Sequence, residues 1–294
     1  MKNKSLTLTI VCNMTSNYGE GLGNISTIQK VFREGKIFPI RSRESLKNGI
    51  MSQSGMYEDL VVKVDGATQK EVSQEKNASN CRALEGGYMN TSKKLTYVRN
   101  SSFYVTDAIG CDPFRVDSRF HNNLYLASAY AKANGLNLQN EAKQSGLMPY
   151  NYEYDKSLKI YSFTIDLTMI GKDENFNEEC DNKEKALRVN LLLEAIKNLS
   201  LVVKGNLDNS EPLFIVGGLS KRMTHQFENT VRVKDGKLHI TKDLKERIKD
   251  GYACGLLEGD NFDNEMEIIS ELNPLSIGEF FKNLENSVNE YYGV

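Results

Sequence analysis

From Leu6 to Met14 the residues Leu6, Leu8, Ile10, Cys12 and Met14 alternate with Thr7, Thr9, Val11 and Asn13, the two-residue period of a strand with one face in a core. A glycine-rich turn follows, Gly19-Glu20-Gly21-Leu22-Gly23-Asn24. Beyond it, Ile25, Ile28, Val31 and Phe32 are spaced for one helical face and Gly35 stands where a helix would stop, so a helix is predicted here. Ile37-Phe38-Pro39-Ile40 is a short apolar run before a second helix, with Ser42 as N-cap, Glu44 in its first turn, and Leu46 and Ile50 as anchors. From about Ser52 to Asp117 the periodicity fades. Gln69 to Asn80 is polar, Gly86-Gly87 and Asn100-Ser101-Ser102 read as turns, and the stretch is expected to be an insertion.

Periodicity returns at Leu124, Ala127, Tyr130 and Ala131, a helical spacing ended by Gly135. Tyr161, Phe163, Ile165, Leu167 and Met169 alternate as a second clear strand. Ala186, Val189, Leu193, Ile196 and Leu199 outline a long amphipathic helix, and Pro212 to Val216 a buried strand. Thr230 to Val233 and Lys237 to Ile240 read as a hairpin around Lys234-Asp235-Gly236. Ser276 and Glu279 form a capping-box pattern, flanked by Leu275 and Phe280 as a staple, before a terminal helix.

The chain has 294 residues, 39% hydrophobic and 26% charged, enough to bury a full core. No apolar run is long enough for a membrane span and Met1 to Ser5 lacks the apolar core of a signal peptide, so a cytoplasmic protein with no membrane partner is expected. Cys12, Cys81, Cys111, Cys180 and Cys254 are odd in number and never form Cys-x-x-Cys, which argues for reduced thiols rather than disulfides or structural zinc. A net charge of -2 does not suit indiscriminate coating of nucleic acid. The charge is uneven, however: residues 1–50 hold eight Lys/Arg against three Glu, and residues 258–294 hold nine Asp/Glu against Lys282.

The glycine turn resembles a dinucleotide loop only loosely, because Gly19, Gly21 and Gly23 give G-x-G-x-G and the acidic residue expected about 20 positions on meets Arg41-Ser42-Arg43 instead. Gly21, Gly23 and Asn24 also suit close approach of main-chain amides to a phosphate. Arg41, Ser42, Arg43, Ser45 and Lys47 gather cationic and hydroxyl donors at a helix start, where free backbone N–H groups favour an anion. An ordinary solvated helix end reads the same way. Arg119, Phe120, His121 and Asn122 suit stacking on and hydrogen bonding to unpaired bases, and Asn13 sits at the polar edge of the first strand. Lys221, Arg222 and Met223 follow Gly217-Gly218 and offer an apolar wedge between cations. Enzyme signatures are thin, with three histidines and no His-Glu-x-x-His, Gly-x-Ser-x-Gly or phosphate-loop lysine.

The ordered pieces resemble the DevR-type autoregulator family, the CRISPR-associated backbone subunits of type I-B interference complexes. They are the strand Leu6 to Met14, the turn Gly19 to Asn24, Pro39 to Lys47, Val105 to Ile109, Ser118 to Leu124, Val203-Lys204-Gly205-Asn206 and Pro212 to Phe214. The resemblance implies an α+β fold: an RNA-recognition-motif-like (ferredoxin-like) palm over residues 1–51 and 151–294, a large inserted fingers region over 52–150, and a thumb loop, assigned around Lys221 to Gln226. It implies a non-catalytic protein that binds CRISPR RNA, oligomerises along it, meets target DNA through the guide and joins other subunits of the complex, with no cofactor. Related subunits that cut RNA use an aspartate after the first strand. Here the first aspartate is Asp59, with Glu20 as a poor substitute, so cleavage is not expected. A metal-dependent ribonuclease of the same superfamily and a nucleotide-binding enzyme remain the alternatives.

Overall fold

In the computed structural model, which describes residues 3–22, 25–92 and 95–294, the alternation of Leu6 to Met14 becomes strand β1 (Ser5–Thr15). Strands β2 (Tyr18–Leu22), β3 (Ile25–Ile28), β4 (Lys30–Arg33) and β5 (Lys36–Arg41) precede helix α1 (Arg43–Gln53). The helix expected over Ile25 to Phe32 is therefore overturned. Its apolar spacing fits either period, but Ile25, Thr27, Ile28 and Val31 are β-branched and suit a pleated surface. Glu34 and Gly35, both at positive φ (50° and 75°), close a two-residue hairpin turn between β4 and β5.

The middle of the chain forms two hairpins, β6 (Val62–Asp65) with β7 (Ala67–Lys70) and β8 (Tyr88–Ser92) with β9 (Leu95–Arg99), and two short strands, β10 (Phe103–Val105) and β11 (Ala108–Gly110). Then come β12 (Ser118–Asn122), α2 (Leu124–Ala133), β13 (Pro149–Glu153) and the long strand β14 (Lys156–Asp166). After the small pair β15 (Lys172–Asp173) and β16 (Glu178–Glu179) stand α3 (Asn182–Lys197), the hairpin β17 (Ser200–Val203) and β18 (Asn206–Asn209), and β19 (Pro212–Ser220). The remainder is β20 (Val233–Lys234), β21 (Lys237–Leu238), α4 (Lys242–Lys249), β22 (Ala253–Leu256), α5 (Glu265–Leu272), β23 (Leu275–Ser276) and α6 (Ile277–Tyr292). The capping box is present, Ser276 and Glu279 each accepting from the other's backbone N–H.

The large sheet runs β23-β22-β19-β1-β14-β11-β5-β4, with β10 also paired to β14. β1 is antiparallel to both neighbours, from Ser5↔Asp166 to Thr15↔Lys156 on one side and from Ser5↔Ser220 on the other. Its even residues Leu6, Leu8, Ile10, Cys12 and Met14 are fully buried with Leu46 and Ile50 of α1, Val189 and Leu193 of α3, and Phe281 and Val288 of α6. Each such side chain contributes about 1.5–3 kcal/mol of burial. Because β10 and β11 belong to this sheet, the chain between residues 52 and 150 leaves it twice, over 54–102 and again over 112–155.

The odd face of β1 is polar, yet buried. Thr7 and Thr9 meet Thr164 (3.1 Å) and Ser162 (2.8 Å) across the β1–β14 pair, and the segment after β19 lies on them. Ser5 Oγ donates to Arg222 O (2.6 Å), Gln226 N–H donates to Thr7 Oγ1 (3.2 Å), and His225 Nδ1 lies 2.8 Å from Thr164 Oγ1. Farther along this face Val11, Phe214 and Val216 pack with Phe227, Val231, Leu244 and Ile268. The first excursion has its own small core around Val72, Leu84 and Tyr88. It is fastened to α3 by fully buried Glu85, which pairs with Arg188 (2.8 Å) and Arg99 (3.1 Å). The second excursion contributes β12 and β13 to the four-stranded sheet β12-β13-β3-β2, whose other two strands follow β1. All five cysteines are free thiols, and among the described residues no helix is long and apolar enough to cross a membrane.

Candidate nucleic-acid interface

The donors around α1 separate once their partners are counted. Ser42 Oγ accepts from Ser45 N–H (3.3 Å), and Arg43 N–H donates to Asp107 Oδ1 (2.8 Å). The first-turn amides expected to point outward are thus largely taken, one of them by a carboxylate that repels phosphate, so the helix end itself is not an open anion site. Arg43 is exposed and pairs with Glu44 (2.6 Å). Lys47 turns inward, donating to Gly86 O (2.7 Å) and Ser101 Oγ (3.0 Å).

Arg41 differs. It closes β5 with only 5% of its surface exposed, donates from Nη1 to Thr15 O (3.2 Å), and its Nε is buried with no partner among the described residues. Burial lowers its pKa from the usual arginine value, against the opposing charge of Asp208. Asp208 is already engaged by Lys156 (3.0 Å), Thr15 N–H (2.7 Å) and Ser210 Oγ (3.2 Å), so no carboxylate answers the guanidinium directly. Arg41 and Ser45 line a groove of about 590 Å³ with Asn48, Gly49, Ser52 and Gln53 of α1 and Ser200 to Val202 of β17. Gly49 lets the two walls approach, since a Cβ there would stand 2.5 Å from Leu201 Cδ2. Gln53 ties them together by donating to Asn198 O (2.5 Å) and accepting from Ser200 N–H (2.9 Å).

At its far end the β17–β18 hairpin reaches the second sheet. Lys204 and Gly205 both take positive φ (49° and 79°) to make the turn, and Lys204 Nζ stands 4.8 Å above the Tyr18 ring. Register then sorts the expected residues of β12. Arg119 pairs with Tyr152 and His121 with Tyr150, so all four share one face, whereas Phe120 pairs with Asn151 and points the other way, 64% exposed. Arg119 stacks 3.5 Å from the Tyr154 ring, His121 lies 5.0 Å from Tyr150, and Tyr152 lies 6.2 Å from both Tyr150 and Tyr18. Burial and neighbouring Tyr152 push the Tyr18 hydroxyl up to about 12, so it stays protonated. Asn122 is used locally, its Oδ1 accepting from Leu124 N–H (3.1 Å) at the start of α2.

Asn13 is the one exposed residue of β1. Gly21 lies in β2 opposite Ser26, while Gly23 and Asn24 fall outside the described residues. Gly19 and Gly21 lie within β2 and the next described element is the strand β3, not a helix, which removes the helix N-terminus that a dinucleotide loop needs. Lys221, Arg222 and Met223 are exposed at the opposite end of β1, roughly 30 Å away by strand rise, on the segment pinned to Ser5 and Thr7. There Lys221 and Arg222 line a separate cavity of about 820 Å³ with Gly218, Tyr252 and Phe280. Among the described residues no three His, Cys, Asp or Glu side chains gather as metal ligands. Sequence reading missed Tyr18, Lys204, Asn48, Ser52 and the tyrosines at 150, 152 and 154. The alternation Tyr150-Asn151-Tyr152-Glu153-Tyr154 was the visible signal for the last three.

Chains of this fold occur in CRISPR complexes. One, described as "CRISPR RNA-guided surveillance complex, pre-nicking", matches with TM-score 0.58 at 9% identity, over 87% of this chain and 93% of that chain. Another, described as "CRISPR RNA-guided surveillance complex", matches with TM-score 0.56 at 12% identity, over 98% of each. The family is then given by the sequence: the model of the CRISPR-associated negative auto-regulator DevR/Csa2 family matches residues 6–239, and the chain belongs to that family. No curated protein matches it.

Proposed function

We propose that this protein is a non-catalytic, RNA-binding backbone subunit of a type I CRISPR interference complex, acting in the cytoplasm in several copies along one guide RNA. The carrying observation is the buried Arg41 guanidinium, with no carboxylate hydrogen-bonded to it, in a groove that the β17–β18 hairpin connects to an aromatic and cationic face. An anion on Arg41 and bases against Tyr18, Arg119, His121, Tyr150 and Tyr152 are what a single strand supplies. The strand order β19-β1-β14-β10, with α1 after β1 and α3 after β14, supports an RNA-recognition-motif-like palm. Its odd face is occupied by residues 221–231, so the RNA runs along the α1 groove instead. That same segment is too firmly fastened to project as a thumb. The four-stranded sheet with α2, where Phe120, Tyr125 (84%) and Leu126 (66%) are exposed, serves that role better. Backbone contacts of this kind leave bases free to pair with target DNA, so sequence is read by the guide.

The test is coexpression with a CRISPR array, followed by the 260/280 nm absorbance ratio and the length of any bound RNA. The protein has no tryptophan and 14 tyrosines, so RNA stands out. A high ratio with RNA of one defined length supports the reading. A clean protein ratio, with and without partner subunits of the complex, refutes it.

A further inference from the structure

The groove beside α1 has a lining that phosphate binding alone does not call for. Ser45, Asn48 and Ser52 succeed one another at spacings of three and four along α1, which sets them in a row on one face about 10 Å long. All three line the groove. None of their side chains has a hydrogen-bond partner among the described residues, and the row contains neither a carboxylate nor a cation. At one end of it sits Arg41, 95% buried, with Nε unpartnered and its one protein hydrogen bond made through Nη1. Nη2 also has no hydrogen-bond partner among the described residues and, unlike Nε, is not shut off from solvent, so it is the part of the guanidinium that an oxyanion reaches.

A phosphate drawn to Nη2 of Arg41, which lines the groove, lays the neighbouring sugars along the row. Serine hydroxyls and the asparagine amide each donate and accept, as does a ribose 2′-hydroxyl, the one group by which a protein distinguishes RNA from DNA at a given site. Deoxyribose would leave the same groups unanswered. We infer that Ser45, Asn48 and Ser52 read ribose 2′-hydroxyls beside a phosphate held by Arg41, and so give the groove its preference for RNA over single-stranded DNA. This rests on the RNA-binding reading and adds specificity to it.

The test is fluorescence anisotropy on the full chain, stripped of nucleic acid, with a labelled single-stranded RNA and the DNA of the same sequence. The unaltered protein is expected to bind the RNA about tenfold or more tightly, the scale of one or two hydrogen bonds. In Ser45→Ala/Asn48→Ala/Ser52→Ala the preference disappears while DNA affinity stays unchanged, and Arg41→Gln weakens RNA and DNA alike. The triple variant should melt at the unaltered temperature, since its side chains hold nothing in the fold. If the unaltered protein prefers RNA and the triple variant keeps that preference, the ribose assignment is overturned and the RNA reading stands. If the unaltered protein binds neither strand, both fall together.

Discussion

At the scale of single residues, function turns on which polar groups are already spent inside the protein. Arg41 and Lys47 look alike as cations six positions apart in the sequence, yet Lys47 is consumed by Gly86 O and Ser101 Oγ while Arg41 spends only Nη1, on Thr15 O. His225 gives this idea a pH signature. Its imidazole is half-buried against Thr164, and burial lowers its pKa from 6.5, opposed by Glu228. The folded protein therefore binds the proton less readily than the unfolded chain. This contribution to stability is intact above about pH 6.5, the unfolded value, and is lost as pH falls toward the folded one. Thermal melts from pH 7.5 to 5 should show a decline that His225→Gln reduces; an identical decline in the variant would assign it to other groups.

Between elements, the first excursion depends on charge burial to hold its place. Glu85 is inaccessible and accepts from Arg188, Arg99, Ser102 and the Gly171 amide, joining the segment before β8 to α3 and to the turn after β14. Glu85→Ala leaves two buried guanidinium groups without that partner and is expected to destabilise the fold by about 3–5 kcal/mol, measured by urea unfolding. A loss under about 1 kcal/mol would mean that water enters and replaces the carboxylate. Elements of this size also show what the sequence discloses. β1 and β14 were legible because burial of one face enforces alternation, and α1, α3 and α6 because caps and apolar stripes are local. β3 and β4 were not, since Ile25, Ile28, Val31 and Phe32 satisfy two periods at once. The groove was half legible. Ser42 announced a helix start, but nothing local to it tells that Asp107, 64 residues on from Arg43, fills its amide site. Nor does the sequence reveal that Lys204 arrives over Tyr18.

On the scale of the molecule, charge is distributed across opposite edges of the large sheet. Arg33 and Lys36 are exposed at the β4–β5 turn, on one edge, while Glu258, Asp260 and Glu267 surround α5 near the other. Lys30 is less available, being paired with Glu153 (2.6 Å). Two complementary patches that do not face each other within one chain suit an open-ended contact between copies. On the proposed assembly along RNA, reversing Glu258, Asp260 and Glu267 to lysine should shorten the particles seen by light scattering and alter their salt sensitivity; an unchanged size and salt response would remove this edge from the contact.

The central position of β1 has a consequence during synthesis. Its partner β14 begins at Lys156 and β19 at Pro212, so at about 5–20 residues per second an apolar strand is made roughly 7–30 s before either neighbour exists. Until then both its edges are unpaired and five large apolar side chains have no cover, the condition in which nascent chains stick to one another. Extra chaperone supply during translation is therefore expected to raise the yield of soluble protein in living cells, measured as the soluble fraction after expression.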